Sequence, residues 1–255
     1  MDINMKNLRY IWVLAACAAG FLASVRADEI WLENRRTEID LGDALDILVV
    51  VDSSEGDLKI VGEDRPSIEV IVDKFSSFDE DRNRAKVDVD FEEGIFRLKT
   101  FKDLKESDLT LLVPRSVSLR LRTRDGDIVI SSIDREIELT AIDGDILLED
   151  VSGGIVANTV DGDIRIELSN TKLVNPISLA TVDGDVVMIA PKSLGATISA
   201  STIDGEFDSE LSIQRRGKKG GFGGWVGVTV DGVIGEGGPS ISLKTIDGDI
   251  LIRVK

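Results

Sequence analysis

The dipeptide Asp-Gly recurs seven times in this chain, at Asp125, Asp143, Asp161, Asp183, Asp204, Asp231 and Asp247, followed by Gly126, Gly144, Gly162, Gly184, Gly205, Gly232 and Gly248. Asp-Gly is a turn signal because glycine adopts a positive φ without strain and the aspartate oxygen satisfies nearby backbone N–H groups. The first three copies are 18 residues apart, and the flanking residues keep that interval: Leu119, Ile137 and Ile155, then Ile128, Ile146 and Ile164, then Ile130, Leu148 and Ile166. Residue type preserved at a fixed period marks a repeat in which each unit buries its apolar face only by stacking on its neighbours.

The repeating template is aliphatic, any, aliphatic, any, Thr, any, Asp-Gly-Asp, aliphatic, any, aliphatic. Ile137, Leu139 and Ala141 fill it before Asp143, Ile177, Leu179 and Thr181 before Asp183, and Ile241, Leu243 and Thr245 before Asp247. Period-two alternation puts these residues on a buried face and Glu138, Ser178, Ser199 and Ser242 on a wet one. Two geometries suit a strand, turn, strand unit. A hairpin would pair adjacent strands antiparallel, whereas a solenoid uses Asp-Gly as a corner and pairs each strand with its equivalent 18 residues later. Identity at that interval favours the solenoid, since stacked rungs require it and hairpins do not. The expected fold is all-β, a solenoid or β-helix-like stack of two-strand rungs. A left-handed hexapeptide helix is excluded, because Asp143 and Glu149 stand six and twelve residues after Ile137 where it needs aliphatics. Later spacings lengthen, so insertions project at 169–176, 191–195 and 215–225.

Residues 28–115 read as a less regular β region ahead of regular rungs over 116–255. Strand-like runs occupy Asp46 to Val51, Asp57 to Val61, Ser67 to Val72, Lys86 to Phe91, Ile95 to Thr100 and Leu109 to Val113. Glu55-Gly56-Asp57 is a weaker first copy of the turn, and Ser76 to Ala85 reads as a short helix or a solvated loop.

Aromatics are only 5% of the chain, so the core has to be aliphatic. A formal net charge of −17 argues against nucleic acid as a partner, which would need a basic face. There is no histidine, which excludes histidine-dependent triads and general bases and nearly all zinc enzymes.

The first 27 residues read as a signal peptide: Lys6 and Arg9 precede an apolar stretch from Tyr10 to Ala23, and Val25-Arg26-Ala27 supplies a cleavage site. The expectation is an exported protein, periplasmic or extracellular, with residues 28–255 as a single β-repeat domain and no transmembrane span. Leu14-Ala15-Ala16-Cys17 also matches a lipoprotein signal, under which the lone cysteine would be lipidated. The apolar residues that follow Cys17 fit a simple cleaved leader better.

Ser54-Glu55-Gly56-Asp57-Leu58, the Leu109 to Pro114 strand leading into Leu119 to Ile128, and the recurring Thr-Val-Asp-Gly-Asp and Thr-Ile-Asp-Gly-Asp strings resemble the bacterial putative-adhesin family of β-strand-repeat domains of unknown function, related to the adhesin-head GIN domains. The likeness covers nearly all of residues 28–255. It implies an exported β-helix-like fold without an assigned activity and an adhesin-like binding role toward an envelope glycan or protein. Aspartate where the family often has serine before glycine, and the long glycine-rich insertion, depart from its pattern.

Three features carry candidate chemistry. The stacked aspartates suggest a calcium stripe, with a purely structural alternative in which the first Asp of each turn accepts its own backbone N–H bonds. That alternative needs no cofactor, since neighbours along the row repel by only about 1 kcal/mol in water. A carbohydrate-active β-helix enzyme would use those same carboxylates, but it needs one pair in unlike environments, and near-equivalent turns do not distinguish one, so the chain reads as non-catalytic. The basic cluster of Arg215, Arg216, Lys218 and Lys219 beside Phe222 and Trp225 is a candidate ligand-binding loop for anionic glycans or headgroups. Finally, the chain stops within the strand after Asp247, at Leu251 to Lys255, which predicts an uncovered last rung used for self-association or covered by the N-terminal region.

Overall fold

The computed structural model describes residues 30–31, 36–42, 44, 46–74, 86–100, 107–169, 173–215 and 227–255. The leader with Cys17, the 75–85 segment and the basic insertion from Arg216 to Trp225 lie outside the described residues. The described residues form 22 strands and no helix, arranged as a 12-stranded and a 10-stranded sheet.

Each regular rung gives its first strand to the larger sheet, turns at Asp-Gly, and gives its second to the smaller one. Ile137–Thr140 pairs in parallel with Ser118–Arg122 and Ile155–Asn158, placing Ile137 opposite Leu119 and Ile155. Past the corner, Ile146–Val151 lies between Ile128–Ser131 and Ile164–Leu168, with Ile146 opposite Ile128 and Ile164. The chain is therefore a solenoid, and the hairpin alternative is ruled out by the parallel ladders. The insertion before Pro176 leaves the register intact, since Ile155 still faces Ile177.

Inward residues of both sheets form one continuous core. Ile128, Ile130, Leu139, Leu148, Ile164, Ile166, Leu179 and Val186 are fully buried in it. Period-two alternation produces this, because strands of four to six residues offer two or three inward positions and β-branched side chains pack well on a pleated surface. Phe96 is the single aromatic residue among the buried core positions described.

Stack order departs from chain order at both ends. Leu48–Asp52 and Leu58–Glu63, the first parallel rung in sequence, sit between the 95–114 rung and the 118–131 rung. At the other end, Ser240–Lys244 runs between Ile177–Ala180 and Ala196–Thr202, and Ile250–Val254 between Val186–Ala190 and Phe207–Ser209. The expectation of an open C-terminal edge is thus corrected: Ile250–Val254 has a ladder on each side, and self-association through it has no free edge to use.

Antiparallel strands close three of the four sheet ends, and the fourth, in the smaller sheet, is the short parallel strand Phe207–Ser209. Lys86–Glu92 covers Ile95–Thr100, Ser67–Lys74 covers Ser107–Pro114 and is covered in turn by Arg36–Asp40. Val228–Ile234 covers Ala196–Thr202, with Ile213–Arg215 outside it. Reversed strands of this kind end the repeat, which limits further rung addition.

A second correction concerns Asp231 and Gly232. They are not at a corner but inside strand Val228–Ile234, opposite Ser199 and Ile198. A Cβ at Gly232 would lie 2.4 Å from Ile213 Cγ2, so glycine is needed there for close packing of the outer strand.

Candidate functional site: the laddered turn edge

The corners stack into one continuous edge, in the order Asp125, Asp143, Asp161, Asp183, Asp247, Asp204. Gly126, Gly144, Gly162, Gly184 and Gly248 have φ between +122° and +144°, a region that side-chain-bearing residues rarely adopt. Space is a second constraint: a Cβ on Gly162 would lie 2.2 Å from the carbonyl oxygen of Gly144, and one on Gly144 2.4 Å from that of Gly126. Gly205 lacks the positive φ, yet a Cβ there would meet the Gly248 carbonyl oxygen at 1.9 Å.

Two hydrogen-bond rows hold this edge. The buried threonines of the template cap the glycine carbonyls: Thr181 Oγ1 donates to the Gly162 oxygen at 3.0 Å, Thr245 Oγ1 to Gly184 at 2.9 Å and Thr202 Oγ1 to Gly248 at 2.9 Å. The second acidic residue of each corner then links rungs. Backbone N–H groups of Asp127, Asp145, Asp163, Asp185, Asp249 and Glu206 donate to Oδ1 of Asp57, Asp127, Asp145, Asp163, Asp185 and Asp249 at 2.7–3.0 Å. The expected role of the first Asp, accepting its own backbone N–H groups, therefore belongs to the second Asp, and it acts between rungs rather than within one. This also explains Asp231-Gly232, which is followed by Val233 and has no second carboxylate to give.

The carboxylates of Asp125, Asp143, Asp161, Asp183, Asp204 and Asp247 stand exposed, with no hydrogen bond or ion pair to another described residue. They form a single file, one per rung, spaced by the strand separation of about 4.8 Å. Among the described residues no three His, Cys, Asp or Glu side chains gather in a geometry that would hold a metal ion. Of the candidate basic loop, Arg215 ends an outer strand, and Arg216, Lys218, Lys219, Phe222 and Trp225 lie outside the described residues.

A charged cluster not anticipated from the sequence sits on the outer face of the smaller sheet. Glu69, 7% exposed, interrupts the apolar run of Ser67–Lys74 and receives hydrogen bonds from the guanidinium groups of Arg36 and Arg65. The Arg36 hydrogen bond is the main cause holding its carboxyl below the usual range, against the opposing effect of burial and with help from Arg65. Glu69 in turn raises the Arg36 guanidinium. A lone acid in the string Ser-Ile-Glu-Val-Ile-Val was the available signal for this site. The cluster clamps the Arg36–Asp40 strand onto its neighbour.

Among the described residues no helix is long and apolar enough to cross a membrane. No curated protein matches the chain. The chain shares its fold with a solved structure described as a "putative cell adhesion protein" from Clostridium sporogenes, 13% identical, covering 88% of this chain and 100% of its own, with a TM-score of 0.52. It is also similar to a "putative adhesin" from Bacteroides fragilis, 10% identical, covering 88% and 98%, with a TM-score of 0.44. The family model described as Toastrack DUF4097 matches residues 49–253, from the first strand of the inserted N-terminal rung to the inserted C-terminal strand, and the chain belongs to that family, a domain of unknown function.

Proposed function

We propose that this chain is an exported, non-catalytic β-repeat scaffold of the cell envelope or surface, with an adhesin-like role in binding an envelope glycan or protein. The supporting observation is that its polar chemistry is displayed in rows. Each rung presents nearly the same groups at the same corner, an arrangement suited to repeated weak contacts along a partner and unsuited to one reacting bond.

A glycosidase would need two carboxylates in unlike environments, one of them held protonated. The corner aspartates share a single environment, and the buried acid Glu69 is shifted the opposite way, toward ionisation. The names of the two structural neighbours and the signal-like leader support an envelope or surface location.

The test is a glycan-array and envelope-protein binding screen run beside a turnover assay on the same glycans. Retention of a ligand without product is the expected result, and product formation would overturn the reading. Mass spectrometry of the secreted protein is expected to show an N-terminus at residue 28 without an acyl group.

A further inference from the structure

The residue just before each Asp-Gly corner forms a row of its own. In stack order it is Arg124, Ile142, Val160, Val182, Ile246 and Ile203, joined by donation from Asp143, Asp161, Asp183, Asp247 and Asp204 N–H groups to the carbonyls of Arg124, Ile142, Val160, Val182 and Ile246 at 2.7–3.0 Å. Five consecutive rungs thus carry a β-branched aliphatic side chain pointing outward, each 42–51% exposed. Large aliphatics exposed singly are ordinary, but five in register on one edge make a continuous apolar strip.

The strip has unlike borders. Toward the corner runs the file of Asp143, Asp161, Asp183, Asp247 and Asp204, whose carboxylates have no partner among the described residues. The opposite border is Thr140, Asn158, Ala180, Lys244 and Ser201 at the ends of the larger sheet's strands, small or polar except for the lysine. At one end the row finishes in Arg124, already paired with Glu55. At the other, Gly227 adjoins the backbone of Thr202 and Ile203, so that a Cβ on it would lie 3.0 Å from the Thr202 oxygen and 3.6 Å from Ile203 Cα.

We propose that this strip docks a helix of a protein partner that presents one apolar row with lysines or arginines along a single flank. Charge complementarity selects the basic flank and disfavours a second copy of this chain, which would bring a second aspartate file and only one cation, Lys244, along the strip's borders. Spacing selects the helix. Rungs repeat every 4.8 Å or so. Successive turns of a helix repeat about every 5.4 Å, whereas same-side residues of an extended strand lie about 6.6 Å apart. Over the strip's four intervals the helix stays nearly in step and the strand does not.

This inference rests on the binding-scaffold reading and names the class of partner for one edge. The test is fluorescence anisotropy with a labelled synthetic helical peptide bearing a leucine row and one lysine flank. A control peptide has serine in place of each leucine at the same charge. Wild-type protein is expected to bind the leucine peptide at least about tenfold more tightly than the serine peptide. The V160T/V182T variant keeps shape and charge and is expected to lose most of that preference. D161N/D183N is expected to weaken both peptides and flatten the salt dependence.

Equal binding of the two peptides, or an unchanged preference in V160T/V182T, would overturn the proposal. So would sedimentation showing that wild type dimerises and V160T/V182T does not, which would give the strip to a second copy. A chain that retains a glycan but fails these peptide tests keeps the scaffold reading and loses only the strip. Glycan turnover with an intact leucine preference does the reverse.

Discussion

The backbone N–H of Asp163 donates to Oδ1 of Asp145 at 2.8 Å, and the same bond recurs between successive corners from Asp57 to Glu206. Each such carboxylate stitches one rung to the next, so the row acts as a continuous seam. Replacing Asp163 with Ala removes the acceptor for the Asp185 N–H, and a loss of about 1 kcal/mol is expected from the urea midpoint. D163N keeps an acceptor oxygen and removes one charge from the row, and is expected to stay within about 0.5 kcal/mol of wild type.

Gly162 and Gly42 separate two costs of a side chain. Both have positive φ, but a Cβ on Gly42 meets nothing within 4 Å while one on Gly162 would lie 2.2 Å from the Gly144 oxygen. G42A is expected to cost about 1 kcal/mol, from conformation alone. G162A has to displace the neighbouring backbone too, and more than about 2 kcal/mol is expected; G144V should exceed 1 kcal/mol for the same reasons. Equal urea midpoints for G42A and G162A would remove the packing argument.

Thr181 tests the carbonyl cap. T181V keeps the shape but leaves the Gly162 oxygen without its hydroxyl donor, and about 1–2 kcal/mol of destabilisation is expected. T181S keeps the donor and loses a buried methyl, so about 1 kcal/mol is expected by the same measurement.

Acid should loosen the N-terminal cap. The folded Glu69 carboxyl is depressed from its reference of 4.5, so its contribution is present above that reference and is lost as pH falls through the lower folded value. Amide exchange in Ser67–Lys74 is expected to accelerate relative to Ile164–Leu168 as pH is lowered below about 4, after correction for intrinsic rates, and E69Q should abolish that difference. A cap that stays as protected as the central rungs at pH 3 or so would contradict the clamp.

Backbone N–H groups donate to Oδ1 of each inter-rung aspartate, which gives the seam a source of cohesion that needs no ion. Thermal midpoints in excess calcium and in a chelator are expected to agree within about 2 °C, whereas a bound stabilising ion would shift them by linkage.

Much of this architecture is legible in the residues themselves. Ile137 and Ile155 repeat because they face each other across a parallel ladder, and the interval between them is the length of one rung. Rung order is not legible, because Ile241, Leu243 and Thr245 satisfy the template equally well at any place in the stack. Their position depends on which neighbours supply the best match, a competition between similar surfaces that no local string records. Asp231 shows the same limit at single-residue scale: Thr229-Val230-Asp231-Gly232 copies the corner motif, and only the missing carboxylate at Val233 separates a strand interior from a turn. The seam itself was hidden because either aspartate of Asp-Gly-Asp could accept an N–H, and the choice is made by stacking.

The tucked-in rungs have a mechanical consequence. Tension entering through residue 255 runs along Ile250–Val254, which is bonded to Val186–Ala190 on one side and Phe207–Ser209 on the other. A terminal edge strand would peel away one bond at a time under such a pull. This strand is instead loaded in shear between two neighbours, so the bonds along both ladders resist together before any of them yields. The N-terminal rung is gripped in the same way, between Ile95–Thr100 and Ser118–Arg122. Pulled along its own direction the C-terminal strand is thus held by two ladders, whereas the N-terminal side leads into Arg36–Asp40, an outer strand with a single ladder that yields first.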